Sequence, residues 1–172
     1  NKGFPLKILS VFPQTNQIIS LSSFFDMILL LSCKRFTMVE EKQKIIIVDD
    51  NQGFIDALKF LFKNRNDIEI IGEANDAFQF FELIKDNTPD IVLMDIYLPE
   101  INGLIAAKRA LVKNNQIKII GVTMSDDYNV HFDMQRIGFK AGILKNNFTV
   151  DFENALKNIN KENKYFPVLN NN

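Results

Sequence analysis

Asp90-Ile91-Val92-Leu93-Met94-Asp95-Ile96-Tyr97-Leu98-Pro99-Glu100-Ile101-Asn102-Gly103 is the stretch on which the reading of the whole chain turns. It opens as a short, uninterrupted apolar run, the pattern of a strand covered on both faces. It stops at an aspartate and runs into a loop carrying Pro99 and the turn pair Asn102-Gly103. A carboxylate at the tip of a buried strand loses solvation, which disfavours its charge. Such a group needs a cation, a donor or a reaction, and the flanking chain holds candidates for each.

Strand-like and helix-like patterns alternate on both sides of this stretch. Upstream, Lys44–Val48 is a β-branched apolar run ending in Asp49-Asp50, followed over 53–64 by Phe54, Leu58, Leu61 and Phe62 at helical spacing. Ile68–Ala74 reads as a second strand. Asp76 is placed to cap a helix whose Ala77, Phe80, Phe81 and Ile84 share one face, and Thr88-Pro89 stops it. Downstream, Leu104, Ala107 and Leu111 form another helical stripe and Ile117–Thr123 a fourth strand. Ser125-Asp126 is placed to cap a helix with Val130, Met134 and Ile137, ended by Gly138. Ala141–Leu144 is a short fifth strand that delivers Lys145. Thr149 then caps a last helix with Phe152, Leu156 and Ile159 inward. Five strands alternating with five helices imply an α/β fold, a doubly wound parallel sheet in a three-layer sandwich.

Composition narrows the function. Lys plus Arg (20) nearly balances Asp plus Glu (21), so no basic excess argues for direct nucleic-acid binding. The single Cys33 forms no internal disulfide and fits a reducing, cytoplasmic setting, and one cysteine with one histidine, His131, excludes the usual zinc constellations. Residues 1–40 read as an N-terminal extension, with Met38 a natural start just before the first strand. Ile18–Cys33 is apolar but interrupted by Ser20, Ser22, Ser23 and Asp26, too broken for a membrane span. Leu30-Leu31-Ser32-Cys33 resembles a lipoprotein cleavage box, but Asp26 inside the apolar core disfavours a signal peptide. The expectation is that the extension is upstream or non-native sequence, that the domain occupies 41–163, and that 164–172 is a tail or linker start whose Asn170–Asn172 end is frayed.

In an open parallel sheet, ligands bind at the carboxyl ends of the strands. The polar residues at those ends are Asp49, Asp50, Asp95, Thr123 and Lys145. Three carboxylates at close range raise one another's pKa unless cations intervene. Lys145 supplies one positive charge, and a hard divalent ion such as Mg²⁺ suits the remainder.

These residues resemble the receiver domain of two-component response regulators. The paired acids follow the first strand, and Asp95 to Gly103 reads as the family's D-x-x-x-P-x-x-[DN]-G. A Thr closes strand four and a Lys strand five, and the resemblance covers about residues 43–162. Gly103-Leu104 and Lys161–Pro167 look most like receivers that precede a helix-turn-helix output domain. The resemblance implies a flavodoxin-like sheet in the order 2-1-3-4-5. It implies that Asp95 accepts a phosphoryl group from the phosphohistidine of a sensor histidine kinase, or from a small phosphodonor. Asp49, Asp50, Asp95 and the backbone carbonyl of Tyr97 would hold Mg²⁺; Lys145 and Thr123 would bind the phosphoryl group and switch. It implies a signalling domain rather than an enzyme, cytoplasmic and apart from membranes, with a homodimer through the fourth helix, fifth strand and last helix.

The chain departs from the family's pattern in three places. Gly142 stands three before the lysine, where the family usually carries an aromatic, so coupling must use another element, such as Phe139 or the backbone. Met124 replaces the usual small residue and, with Tyr97, is expected to crowd the approach of water. Asn146 replaces the common proline after the lysine, so no cis peptide is expected there.

Other classes fit these residues less well. An aspartyl-phosphate phosphohydrolase of the haloacid-dehalogenase type would want a second Asp where Tyr97 stands. A flavin or nucleotide binder would want a Gly-rich loop where Asp49-Asp50-Asn51 would repel phosphate. A receiver working by protein contact alone, stand-alone or cut from a longer transcriptional regulator, also stays open. His131 reads as a surface residue, Phe54, Phe62, Phe80 and Phe81 as core, and Asp126-Asp127 as a helix N-terminus.

Overall fold

The structure, a computed structural model, describes residues 41–170. The readings of residues 1–40 and of the frayed end at Asn171 and Asn172 lie outside the described residues. Five strands form one parallel sheet: β1 (Gln43–Val48), β2 (Ile68–Ala74), β3 (Ile91–Asp95), β4 (Lys118–Thr123) and β5 (Ala141–Leu144). Their order is β2-β1-β3-β4-β5, the flavodoxin-like order expected. Between and after them come α1 (Gln52–Phe62), α2 (Ala77–Asp86), α3 (Gly103–Lys113), α4 (Tyr128–Ile137) and α5 (Phe148–Ile159), and finally the short α6 (Pro167–Asn170).

Alternation along each strand divides the core into two layers. Ile45, Ile47, Ile91, Leu93, Ile120, Val122 and Ile143 point to the layer closed by α1 and α5. Ile46, Val48, Val92, Met94 and Ile119 point to the layer closed by α2, α3 and α4. Every residue of β3 is buried, because it is the central strand with helices on both faces. Asn51, Asp76 and Asn102 cap α1, α2 and α3 through side-chain oxygens, each at the end of a strand-to-helix loop. These loops lie at the carboxyl edge of the sheet, where the polar strand ends converge.

The structure corrects several local expectations. In α1, Ile55 is buried and Leu61 is exposed, because the helix starts at Gln52 and its inward stripe runs through Ile55, Leu58 and Phe62. In α3 the innermost residues are Ala106, Ala107 and Ala110, with Leu104 and Leu111 on the flanks. Asp127, rather than Ser125-Asp126, caps α4 by accepting from the Asn129 N–H. Thr149 does not cap the last helix, since a 3-10 turn over Lys145–Asn147 leads directly into Phe148.

His131 is the largest departure: it is wholly buried, not on the surface. Starting α4 at Tyr128 turns His131 and Met134 inward together, onto a trough in the sheet. Gly121 and Gly142 are paired across β4 and β5 and make that trough. A Cβ at Gly121 would lie 2.1 Å from Met134 Sδ, and one at Gly142 3.0 Å from His131 Nδ1. The side chains of Met134, Phe166 and His131 occupy the space that a Cβ would take at these two glycines. Burial is the main cause holding the His131 pKa below 6.5, against the Ser125 carbonyl and the nearby Asp126 and Asp127. A depressed histidine is neutral in the fold while the unfolded chain still takes up a proton. Its contribution to stability is therefore present above pH 6.5 and lost as pH falls below that value. The expected loss is up to about 1.4 kcal/mol per pH unit. Urea unfolding of wild type and His131→Phe across this range checks it, because the variant lacks this component of the slope.

Candidate functional site

Parallel pairing brings the carboxyl ends of β1, β3, β4 and β5 to one edge. Val48 is in register with Met94, Asp95 with Val122, and Thr123 with Leu144. Asp49, Asp95 and Thr123 are buried there, while Asp50 is exposed. Lys145 reaches in from β5, its side chain only 12% exposed.

The Lys145 ammonium lies 2.6 Å from Asp49 Oδ2 and donates to Asp95 Oδ2 at 2.8 Å. It also sits 4.8 Å from the centre of the Phe54 ring, whose π face favours a cation. The other carboxylate oxygens accept from backbone: Asp49 Oδ1 from Asn51 N–H at 3.0 Å, and Asp95 Oδ1 from Tyr97 N–H at 3.1 Å. The loop after β3 is held closed by Gly103 N–H donating to the Ile96 carbonyl at 2.9 Å. A Cβ at Gly103 would fall 1.9 Å from the Asp95 carbonyl oxygen, so only glycine lets α3 start this close to the acidic loop. Glu100 takes φ 59° within the same loop.

Oxygens of Asp49, Asp50 and Asp95 can be chosen within 4.8 Å of one another. Among the described residues three carboxylates face one ammonium, a deficit of positive charge. Burial is the dominant influence on Asp49 and raises its pKa above 3.8, despite the Lys145 hydrogen bond and the Asn51 N–H that lower it. For Lys145 burial opposes the charge, but bonds to Asp49 and Asp95 outweigh it and leave its pKa above 10.5. Asp49 is the more enclosed of the two, with its side chain 2% exposed against 12% for Lys145. An added hard cation among these oxygens fits that deficit, and all-oxygen carboxylate donors suit Mg²⁺.

Thr123 and Met124 behave differently from the acids. Thr123 Oγ1 accepts from the Ser125 N–H at 3.1 Å, so its oxygen serves its own loop. Tyr97 and Met124, which follow the ends of β3 and β4, are exposed residues, at 54% and 68%. Periodicity casts Phe54 as core only, whereas its half-buried ring also covers the lysine. Asn75 also serves the site, its amide donating to the Asp49 carbonyl at 3.4 Å and to Gln52 Oε1 at 3.0 Å. A lone Asn after a strand carries no signal of that kind.

Replacing Lys145 by Met leaves neighbouring buried carboxylates with no ammonium between them. Stability at about pH 7 is expected to fall by about 2–4 kcal/mol. The loss should shrink towards about pH 5, because a carboxyl whose folded pKa rises further takes up a proton and stabilises the fold as pH drops. Chemical denaturation at both pH values reads this, and an equal loss at both would refute it.

Comparisons with known proteins agree with this geometry. A family profile described as the response regulator receiver domain matches residues 45–159. An uncharacterized transcriptional regulatory protein of Bacillus subtilis (strain 168), YhcZ, is 35% identical over 102 residues, 59% of this chain and 48% of that protein. The oxygen regulatory protein NreC of Staphylococcus aureus (strain JH9) is 33% identical over 104 residues, 60% of this chain and 48% of its own. The chain thus matches about half the length of these curated relatives. Among solved structures, the isolated receiver domain of RcsB from Salmonella enterica serovar Typhimurium, with the phosphomimetic BeF3⁻, superposes with a TM-score of 0.70 at 17% identity, covering 76% of this chain and 98% of that one. A LuxR-family response regulator from Aurantimonas sp. SI85-9A1 gives 0.70 at 23% identity, covering 76% and 94%. At these identities the structural likeness concerns the fold. The family match, in contrast, runs from β1 to the end of α5, and the chain belongs to the response regulator receiver domain family.

Proposed function

We propose that Asp95 is the phosphoryl acceptor of a signalling receiver, loaded by the phosphohistidine of a sensor histidine kinase or by a small phosphodonor. The observation that carries this reading is the state of the Asp95 carboxylate. It is almost buried, held by Lys145 on one oxygen and the Tyr97 N–H on the other, and flanked by two further acids. A carboxylate so oriented needs no general base, because it is ionised before it attacks. One of its oxygens bonds to phosphorus as the donor's phosphorus–nitrogen bond breaks and the imidazole leaves with the electron pair. Lys145 then pairs with phosphoryl oxygens, and Thr123 turns its hydroxyl to donate to them.

Asp49, Asp50 and Asp95, with the backbone carbonyl of Tyr97, are the residues proposed to hold Mg²⁺. When bound, the ion would neutralise charge on the phosphoryl oxygens and on the acids. Tyr97 and Met124 are proposed to limit the access of water to the acyl phosphate. The names of the relatives favour an output in transcription, through a further domain or a partner. A homodimer through α4, β5 and α5 belongs to the same reading, as does a cytoplasmic location. Among the described residues no helix is long and apolar enough to cross a membrane.

Acetyl phosphate with Mg²⁺ is expected to add the mass of one phosphoryl group to wild type and none to Asp95→Asn. Intact-mass spectrometry reads both, and an unmodified wild type would instead favour a receiver acting by protein contact alone. In Met124→Ala the acyl phosphate should hydrolyse about two- to fivefold faster, because less bulk excludes water. A decay rate equal to wild type, followed by loss of the adduct mass, would remove Met124 from this role.

A further inference from the structure

Gly142 lacks a side chain, but the space beside it is filled. A Cβ there would lie 2.9 Å from two ring carbons of Phe166 and 3.0 Å from His131 Nδ1. Phe166 is buried in the core layer of α4, and it arrives from the C-terminal segment that follows α5. That segment is laid against the edge of β5. Tyr165 N–H donates to the Lys140 carbonyl at 2.9 Å, and Gly142 N–H donates to the Tyr165 carbonyl at 3.0 Å, so Tyr165 forms a one-residue parallel bridge with Ala141. The Tyr165 hydroxyl donates to Asp151 Oδ1 of α5 at 2.9 Å, and Lys164 Nζ donates to the Gln135 carbonyl of α4 at 3.3 Å. The short α6 beyond it packs on α4 and β5.

A second set of contacts leads from the carboxyl edge to the same point. The Ser125 N–H donates to Thr123 Oγ1 at 3.1 Å, and the Ser125 carbonyl lies 3.0 Å from His131 Nε2. A carbonyl only accepts, so His131 carries its proton on Nε2 and presents a bare Nδ1. That Nδ1 is buried against the Gly142 backbone beneath the Phe166 ring, and among the described residues no atom meets it in hydrogen-bond geometry. An unpaired buried polar atom is costly, so the bond to the Ser125 carbonyl is the polar contact that anchors this ring.

We infer that Tyr165–Leu169 is a strap whose docking on β5 depends on the state of Asp95, with His131 as the residue that connects the two through Ser125 and Thr123. The inference rests on Asp95 being the phosphoryl acceptor. A phosphoryl group on Asp95 draws the Thr123 hydroxyl towards it, and Thr123 gives up the bond from Ser125. The loop then shifts, and the Ser125 carbonyl leaves His131 Nε2–H. With both ring nitrogens unpaired, the imidazole no longer holds its place beside Gly142, and Phe166 loses the wall it packs against. Release frees the Gly142 N–H and Lys140 carbonyl on an open sheet edge. Coupling is reciprocal, so a docked strap also favours the unphosphorylated site.

The test uses the full chain, with amide hydrogen exchange read at Gly142 and Tyr165 and intact mass read in the same samples, with and without acetyl phosphate and Mg²⁺. Phosphorylated wild type is expected to exchange both amides about fivefold faster or more. His131→Phe should gain the same adduct and lose this response. Gly142→Ala should raise Tyr165 exchange without any phosphodonor, because its methyl group displaces Phe166. An adduct on wild type with unchanged exchange overturns the strap and leaves the acceptor reading standing. An equal response in His131→Phe, or protected Tyr165 in Gly142→Ala, also overturns it. No adduct on wild type overturns the acceptor reading and the inference with it.

Discussion

A single ammonium group, Lys145 Nζ, lies between Asp49 Oδ2 and Asp95 Oδ2 and ties together the ends of three strands. Buried carboxylates on adjacent strands are tolerated only because this cation stands between them. The architecture supplies the arrangement. In a parallel sheet every strand delivers its last residue to the same edge, and β3, buried along its whole length, carries Asp95 to the centre of it. Phe54 from α1 closes over the lysine and limits its hydration. Gly103 lets α3 begin against the Asp95 backbone, which shapes the acidic loop.

One ammonium does not balance three acids, and that deficit is the physical content of the site. Burial leaves Asp49 with a raised pKa even though it is hydrogen-bonded, so its charged form is costly at this edge. On the proposed function, such a centre would stabilise an incoming phosphoryl group by charge and position rather than by proton transfer.

The far side of β4 and β5 is organised by absence of side chains. Gly121 and Gly142 pair across the two strands, and Met134, His131 and Phe166 fill the trough they leave. A buried histidine and a phenylalanine from beyond α5 thus meet where the family's usual aromatic would stand. The α4–β5 face is consequently shared between the fold and the C-terminal segment, and its packing is linked by hydrogen bonds to the loop after Thr123.

The alternation of periods, the loop residues after each strand and the polar strand ends are all local patterns, and they sufficed for the element order, the doubly wound class and the five residues at the carboxyl edge. Strand ends such as Asp95 and Lys145 were legible because a polar residue closing an apolar run is visible in its immediate neighbours. The helix faces were read less well. Leu61 and Ile55 exchanged places because the start of α1, set by the Asn51 cap, decides the inward stripe. His131, Gly142 and Phe166 were beyond reach of any local pattern. A histidine between polar helix residues looks solvated until a glycine on a neighbouring strand makes room for it. Whether a large side chain is buried depends on the small one opposite, and that pairing exists only once the chain has folded.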